Sequence, residues 1–168
     1  MFFILHSSFL SLISYLLSLM QISIYTDGSS LGNPGRGGYA VVLIAGVYRK
    51  ELSQGYRLTT NNRMELLAVI VGLEALKIPE SDVTVYTDSQ YVANAVEKKW
   101  VFGWEKINFK GKKNADLWKR FLNVYRCHTV SFKWIRGHDG NKENERCDKL
   151  AVAAAQNANL QEDVGYVA

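Results

Sequence analysis

Cysteine and proline are scarce in this 168-residue chain, at two each, and with 13 glycines the composition is far from that of a low-complexity or collagen-like polymer. Two thiols, Cys127 and Cys147, cannot staple a disulfide-dense scaffold. Their spacing fits no C-x-x-C pair, which argues against structural zinc and against a redox motif. They read as free thiols of a reducing compartment, which sets the expectation of a cytoplasmic location. Internal repeats and long linkers are also missing. What is there, 48% hydrophobic and 21% charged residues, is the balance of one folded domain with a core of its own.

The charge of +4 is small, but it is unevenly placed. Residues 97–120 hold eight basic side chains against three acidic ones, a local +5, so the remainder of the chain sums to −1. A solvated charged face accounts for the charge alone. Trp100, Phe102, Trp104 and Phe109 are interleaved with the lysines, however, and that mixture points toward a nucleic acid.

Residues 1–20 form an apolar run with five serines, one histidine and no Lys or Arg. A secretory signal wants a basic start and a small-residue cleavage site, and a spanning helix wants about 20 apolar residues. The pattern favours an over-extended start or a dispensable leader, since Met20 directly precedes the first strand pattern. Membrane association is expected only if this run is retained. The domain proper is expected to span 21–168.

Periodicity along that domain gives an ordered series of elements. Alternation over 22–27, a strand after a glycine-rich turn over 39–44, and a third over 47–55 read as an antiparallel meander. A helix capped by Asn61 or Asn62 carries Met64, Leu67, Ala68, Val71 and Ala75 at helical spacing and ends before Pro79. A strand over 83–88 leads into a helix over 90–99 capped by Ser89, and Asn114 caps another helix through Arg126. A last strand over 130–136 and a helix over 143–157 complete β-β-β-α-β-α-α-β-α. The expected fold is α/β: a five-stranded mixed sheet, three strands antiparallel and two parallel, flanked by helices.

Four acids fall where acids are unusual. Asp27 and Asp88 each end a strand, and if those strands are parallel neighbours their carboxylates lie side by side at the carboxyl edge, where crevices form. Glu65 sits among Met64, Leu66 and Leu67, and Asp148 among Cys147, Leu150 and Ala151. Any one alone reads as a cap or a surface ion pair. Gathered in one crevice they would repel, and oxygen-bound divalent cations are the usual remedy.

Tyr25-Thr26-Asp27-Gly28-Ser29, Gly32-Asn33-Pro34-Gly35, Thr59-Thr60-Asn61-Asn62-Arg63-Met64-Glu65, Thr87-Asp88-Ser89-Gln90-Tyr91-Val92, Gly137-His138 and Glu143-Asn144-Glu145-Arg146-Cys147-Asp148 follow one another in the order of the bacterial type 1 ribonuclease H family. From Gln21 to Tyr166 the chain resembles that family; only residues 1–20 lie outside.

The resemblance implies an endoribonuclease that cuts the RNA strand of an RNA·DNA hybrid, leaving 5′-phosphate and 3′-hydroxyl ends. Asp27, Glu65, Asp88 and Asp148 stand at the family's metal-binding positions. They would hold two Mg²⁺ ions ~3.5–4 Å apart when substrate is bound, with Mn²⁺ as a possible substitute. His138 would assist proton transfer or product release. Gly28 and Ser29 would let the backbone approach the RNA ribose. Asn33, Asn62 and Gln90 match minor-groove positions, and Thr60 and Asn114 match a pocket for a DNA-strand phosphate. Asn61 and Asn114 are expected both to cap helices and to lie near that phosphate.

The basic segment resembles the family's hybrid-gripping arm, with Trp100, Trp104, Lys112 and Lys113 as contacts and Trp118 matching a further tryptophan. Only nine residues separate Trp104 from Asn114, a short arm, so binding should be salt-sensitive. Asp139 departs from the small apolar residue frequent after the family's histidine, and its charge could raise the His138 pKa. The expected partner is the hybrid, with no obligate protein partner and a monomeric chain. The alternatives are a catalytically silent hybrid-binding module, which should lack a carboxylate, and a fragment of a reverse transcriptase or integrase, which should show polymerase or DNA-joining sequence. Neither mark is present in the sequence.

Overall fold

The computed structural model describes residues 21–137 and 139–167. Three long strands open the domain, β1 (Ile22–Gly32), β2 (Gly35–Ala45) and β3 (Tyr48–Thr59), followed by helix α1 (Asn61–Glu74). Then come β4 (Asp82–Thr87), α2 (Gln90–Glu97), α3 (Trp100–Lys106), α4 (Ala115–Tyr125), β5 (Thr129–Trp134) and α5 (Lys142–Gln156). The sheet order is β3-β2-β1-β4-β5. β1 pairs antiparallel with β2 and β2 with β3, whereas β1 and β5 both run parallel to β4. This is the mixed five-stranded sheet expected from the alternation.

Strand periodicity sorts the side chains to two faces. Ile22 and Ile24 of β1 and Tyr39, Val41 and Leu43 of β2 enter the large core shared with α1, α2 and α4, where Met64, Leu66, Ile70, Trp118 and Phe121 are fully buried. On the opposite face Ala40 and Val42 pack with Cys147 and Ala151 of α5. The sheet is thus sandwiched, and α5 brings its carboxylates to the face away from α1.

Three local features differ from the sequence reading. β1 does not end at Asp27 but continues through Gly32, paired with β2 as far as Gly35, because a Gly/Ser stretch with no apolar period still fills a ladder. α3 is an additional helix; Lys99 precedes it with φ 59° and no side-chain cap, so it lacks a start signal. α1 begins at Asn61 with Thr60 in the capping position, and neither Thr60 nor Asn114 makes a side-chain cap bond. Ser89 caps α2 as expected, accepting from the Val92 N–H at 3.4 Å.

The tail after α5 lies along β3, where the Arg57 N–H donates to the Gln161 carbonyl and the Gln161 N–H donates to the Gly55 carbonyl, and then reaches Arg63. Asp163 accepts from Arg63 Nε at 2.7 Å, with side chains only 3% and 8% exposed, and Asp116 accepts from Arg63 Nη2 at 2.7 Å. A buried guanidinium with two carboxylate partners therefore joins α1, α4 and the tail. Among the described residues, no helix is long and apolar enough to cross a membrane.

Candidate active site

The parallel ladder between β1 and β4 runs from Ile22 opposite Val83 to Thr26 opposite Thr87. The next residue on each strand is Asp27 and Asp88, so the register places the two acids side by side at the carboxyl end of β4. α1 supplies the third. A Cβ at Gly28 would lie 2.2 Å from the Glu65 backbone nitrogen and 2.5 Å from the Met64 carbonyl carbon. Only a hydrogen fits there, and the contact lets the first turns of α1 rest on β1 and deliver Glu65 beside Asp27. The space reserved at Gly28 is thus occupied by α1.

Carboxylate oxygens of Asp27, Glu65 and Asp88 lie within 4.8 Å of one another. Asp27 and Glu65 are both 6% exposed. Burial, and then the charges of Asp88 and Asp148, push the Asp27 carboxyl up to about 8. Burial and the charges of Asp27 and Asp88 raise Glu65 well above the ordinary range, only partly offset by the Gly28 backbone N–H and the Asn61 amide. Glu65 Oε2 is buried without a hydrogen-bond partner. An orphaned acceptor among crowded carboxylates fits a hard divalent cation, which takes oxygen ligands and supplies the missing charge.

Asp148, on α5, stands outside the tight trio but bears on it through its charge at Asp27. His138 lies outside the described residues. Gly137, just before it, would place a Cβ 2.8 Å from Asp88 Oδ2, so the loop backbone passes close against that carboxylate.

Neighbouring amides orient the acids. Asn61 Nδ2 donates to Glu65 Oε1 at 3.4 Å, and the Asn61 N–H donates to Asn33 Oδ1 at 3.2 Å. Asn144 Nδ2 donates to Asp88 Oδ2 at 3.4 Å, while Trp134 Nε1 donates to the Asp88 carbonyl at 3.0 Å. Neither Asn144 nor Trp134 stands out in the sequence as a partner of Asp88. The available signal for Asn144 was its position four residues before Asp148, on the same helical face, with a buried polar side chain the result.

Beside the trio, along the first turn of α1, lies a cavity of about 700 Å³ lined by Asn33, Thr60, Asn62, Arg63, Lys113 and Asn114, with Gly165 and Tyr166 of the tail as a further wall. Five expected substrate residues thus share one cavity. Ser29 is half-buried next to Asp27 and Gly28 on β1, and Gln90 is exposed in a separate 350 Å³ cleft with Asn94 and Trp134.

The basic segment is only partly what its composition suggested. Trp118 is fully buried, Phe109 is 4% exposed, and Trp104 packs edge-on against Trp118 at 5.6 Å. Phe102 also packs against the core, which leaves Trp100, 46% exposed, as the aromatic available for contact. Most of the interleaving is therefore the inward face of α3 and α4. Lys112 and Lys113 are exposed, and Lys112 Nζ sits 5.5 Å from the Trp104 ring centroid.

A mixed sheet with Asp27 on β1 and Asp88 just past β4, joined by Glu65 from α1 with one orphaned oxygen and flanked by a cavity of amides, a hydroxyl and a lysine, suits an enzyme able to hold a divalent cation. The model of the RNase H family matches residues 20–156. Ribonuclease H of Syntrophus aciditrophicus (strain SB) is 58% identical over 151 residues, covering 87% of this chain and 87% of that protein. Ribonuclease H of Trichodesmium erythraeum (strain IMS101) is 54% identical over 151 residues, covering 87% and 96%. Among solved structures, LC9-RNase H1, a type 1 RNase H with the type 2 active-site motif, superposes with a TM-score of 0.74 at 32% identity, covering 82% of this chain and 72% of that one. LC11-RNase H1 in complex with RNA/DNA hybrid superposes with a TM-score of 0.64 at 25% identity, covering 80% and 96%. The chain belongs to the ribonuclease H family of hydrolases.

Proposed function

We propose that this chain hydrolyses the RNA strand of RNA·DNA hybrids, with Asp27, Glu65, Asp88 and Asp148 holding two Mg²⁺ ions and Mn²⁺ able to substitute. The observation that carries the reading is the trio of buried Asp27 and Glu65 with half-buried Asp88, and its unpartnered Glu65 Oε2. When bound, the ions supply an activated water and stabilise the charge on the leaving oxygen of a phosphodiester, giving 5′-phosphate and 3′-hydroxyl ends.

The chain's own groups do the positioning. Asn61 and Asn144 hold the Glu65 and Asp88 carboxylates by one hydrogen bond each, so these acids keep their orientation as substrate arrives. Ser29, Asn33, Asn62 and Gln90 offer small or amide groups toward the ribose and minor groove, while Gly28 serves by seating α1 beside β1. Thr60 and Asn114 occupy the capping positions of α1 and α4 without capping either helix, and both open to the same cavity. The Thr60 hydroxyl and the remaining Nδ2 hydrogen of Asn114, with backbone N–H groups at two helix starts, suit a phosphate of the DNA strand. Trp100, Trp104, Lys112 and Lys113 extend the grip along the backbone, Trp104 by shaping α3 from within. His138 takes the proton-transfer or product-release role.

The catalytic domain in this reading is 21–168, acting as a monomer in the cytoplasm, with residues 1–20 dispensable. Free Cys127 and Cys147 support a reducing compartment. Asp88→Asn tests the site: it removes one charge with little change of volume and should abolish hybrid hydrolysis while leaving the fold intact. Turnover like that of the unaltered protein would overturn the assignment. Retained hybrid binding without cutting in the unaltered chain would instead favour the silent-module reading.

A further inference from the structure

Asn114 is held in an unusual way for a residue at a helix start. Its backbone is left-handed, with φ 59°, a conformation Asn tolerates better than most residues, and its carboxamide makes no bond to the N–H groups of α4. The amide is tied elsewhere. Arg63 Nη1 donates to Asn114 Oδ1 at 3.5 Å, and because a guanidinium only donates, that contact sets which end of the amide is oxygen. Asn114 Nδ2 then donates to the Tyr91 hydroxyl oxygen at 3.0 Å. The same oxygen accepts from Trp118 Nε1 at 2.8 Å, and Trp118 is fully buried. The hydroxyl is therefore pinned to the core on one side and to the amide on the other, with one Nδ2 hydrogen left for a ligand in the cavity Asn114 lines.

Tyr91 itself is on α2, three residues after Asp88. A phenylalanine would fill the same volume against the Trp118 ring, whose centroid is 5.5 Å away. What the hydroxyl adds is the pair of hydrogen bonds. We propose that Tyr91 is a positioning residue: its hydroxyl aims the Asn114 amide at a DNA-strand phosphate and, through α2, fixes that anchor relative to the carboxylates that cut the RNA strand. This inference rests on the hybrid being the substrate.

Tyr91→Phe removes the hydroxyl and keeps the ring, so its test is a split between KM and kcat. The KM for hybrid should rise about three- to tenfold, the worth of one oriented hydrogen bond, with kcat at saturation changed less than about twofold. Tyr91→Phe combined with Asn114→Ala should be no worse than Asn114→Ala alone, since both remove one interaction. Hybrids whose DNA-strand phosphates are neutralised one at a time as methylphosphonates give a second readout. The position that raises KM for the unaltered protein should cost less in Tyr91→Phe. An unchanged KM, a KM effect that multiplies with that of Asn114→Ala, or a fall in kcat and melting temperature without a KM change would each overturn the proposal. Affinity for uncut hybrid, measured in chelator with the same variants, keeps the two readings separate. A protein that binds but does not cut contradicts the proposed reaction, while the Tyr91 and Asn114 coupling is still read from binding.

Discussion

Gly28 and Glu65 meet backbone to backbone: the position a Cβ would take on Gly28 is 2.2 Å from the Glu65 nitrogen, so the strand that carries Asp27 touches the helix that carries the clustered Glu65. Gly28→Ala forces α1 away from β1. Overpacking of this kind costs about 1–3 kcal/mol, and here it also moves Glu65 from Asp27. Urea denaturation should show the loss of stability, and kcat should fall by at least about tenfold, since displacements on the order of 1 Å at a reacting centre are that costly. Retention of full kcat with lowered stability would separate the contact from the site.

Relief of crowding should run the other way. Asp27→Asn removes a buried acid whose ionisation burial and the charges of Asp88 and Asp148 oppose, and with it the cost of keeping that group neutral on folding. In chelator this variant should melt about 2–4 °C above the unaltered protein, on the order of 1 kcal/mol for a domain of this size, while hybrid cutting is lost. Calorimetry in chelator and again in Mg²⁺ checks both halves, because added cation should stabilise the unaltered protein more than the variant.

A pH effect is also expected at the β3–α5 contact. Glu51 on β3 accepts from Arg146 on α5 and from Arg49, and these hydrogen bonds lower its carboxyl from the usual 4.5 to about 2. A depressed folded-state value means the contribution is fully present above pH 4.5 and is lost as pH falls through about 2. Glu51 is largely solvent-screened, so the effect is small. Glu51→Gln should flatten the acid limb of a melting-temperature profile between pH 4.5 and 2 by slightly lowering the plateau above pH 4.5, with stability near pH 2 unchanged; an unaltered plateau and limb would contradict the pairing.

The exposed lysines give a salt test. Lys112→Ala with Lys113→Ala should weaken hybrid binding more at low salt than at high, and reduce the slope of log affinity against log salt by about 1–2. An unchanged slope would remove both lysines from the interface.

Much of this was legible in the residues because alternation and helical spacing report burial directly. Ile22, Ile24, Val41 and Leu43 behaved as the pattern requires, and Asp27 and Asp88 did meet across parallel strands. Where the reading went astray, a local pattern had two tertiary outcomes. Trp104, Phe109 and Trp118 look the same in sequence whether they stack on bases or fill a core, and the core claimed them. Asn61 and Asn114 are good capping types, but Glu65 and Tyr91 compete for their amides across 4 and 23 residues of chain. Asn144 shows the same limit: its partner Asp88 is 56 residues distant, and only the fold brings them together.

The clustered carboxylates are expected to make this chain a cation-dependent cutter of one strand of one kind of duplex. The most direct test incubates the full chain with end-labelled RNA·DNA hybrid, matched DNA duplex and matched RNA duplex, each in Mg²⁺ and in chelator. The expected result is cutting confined to the RNA strand of the hybrid, abolished by chelator and restored by added Mg²⁺. Cutting that survives chelator, or that falls equally on the DNA duplex, would contradict it.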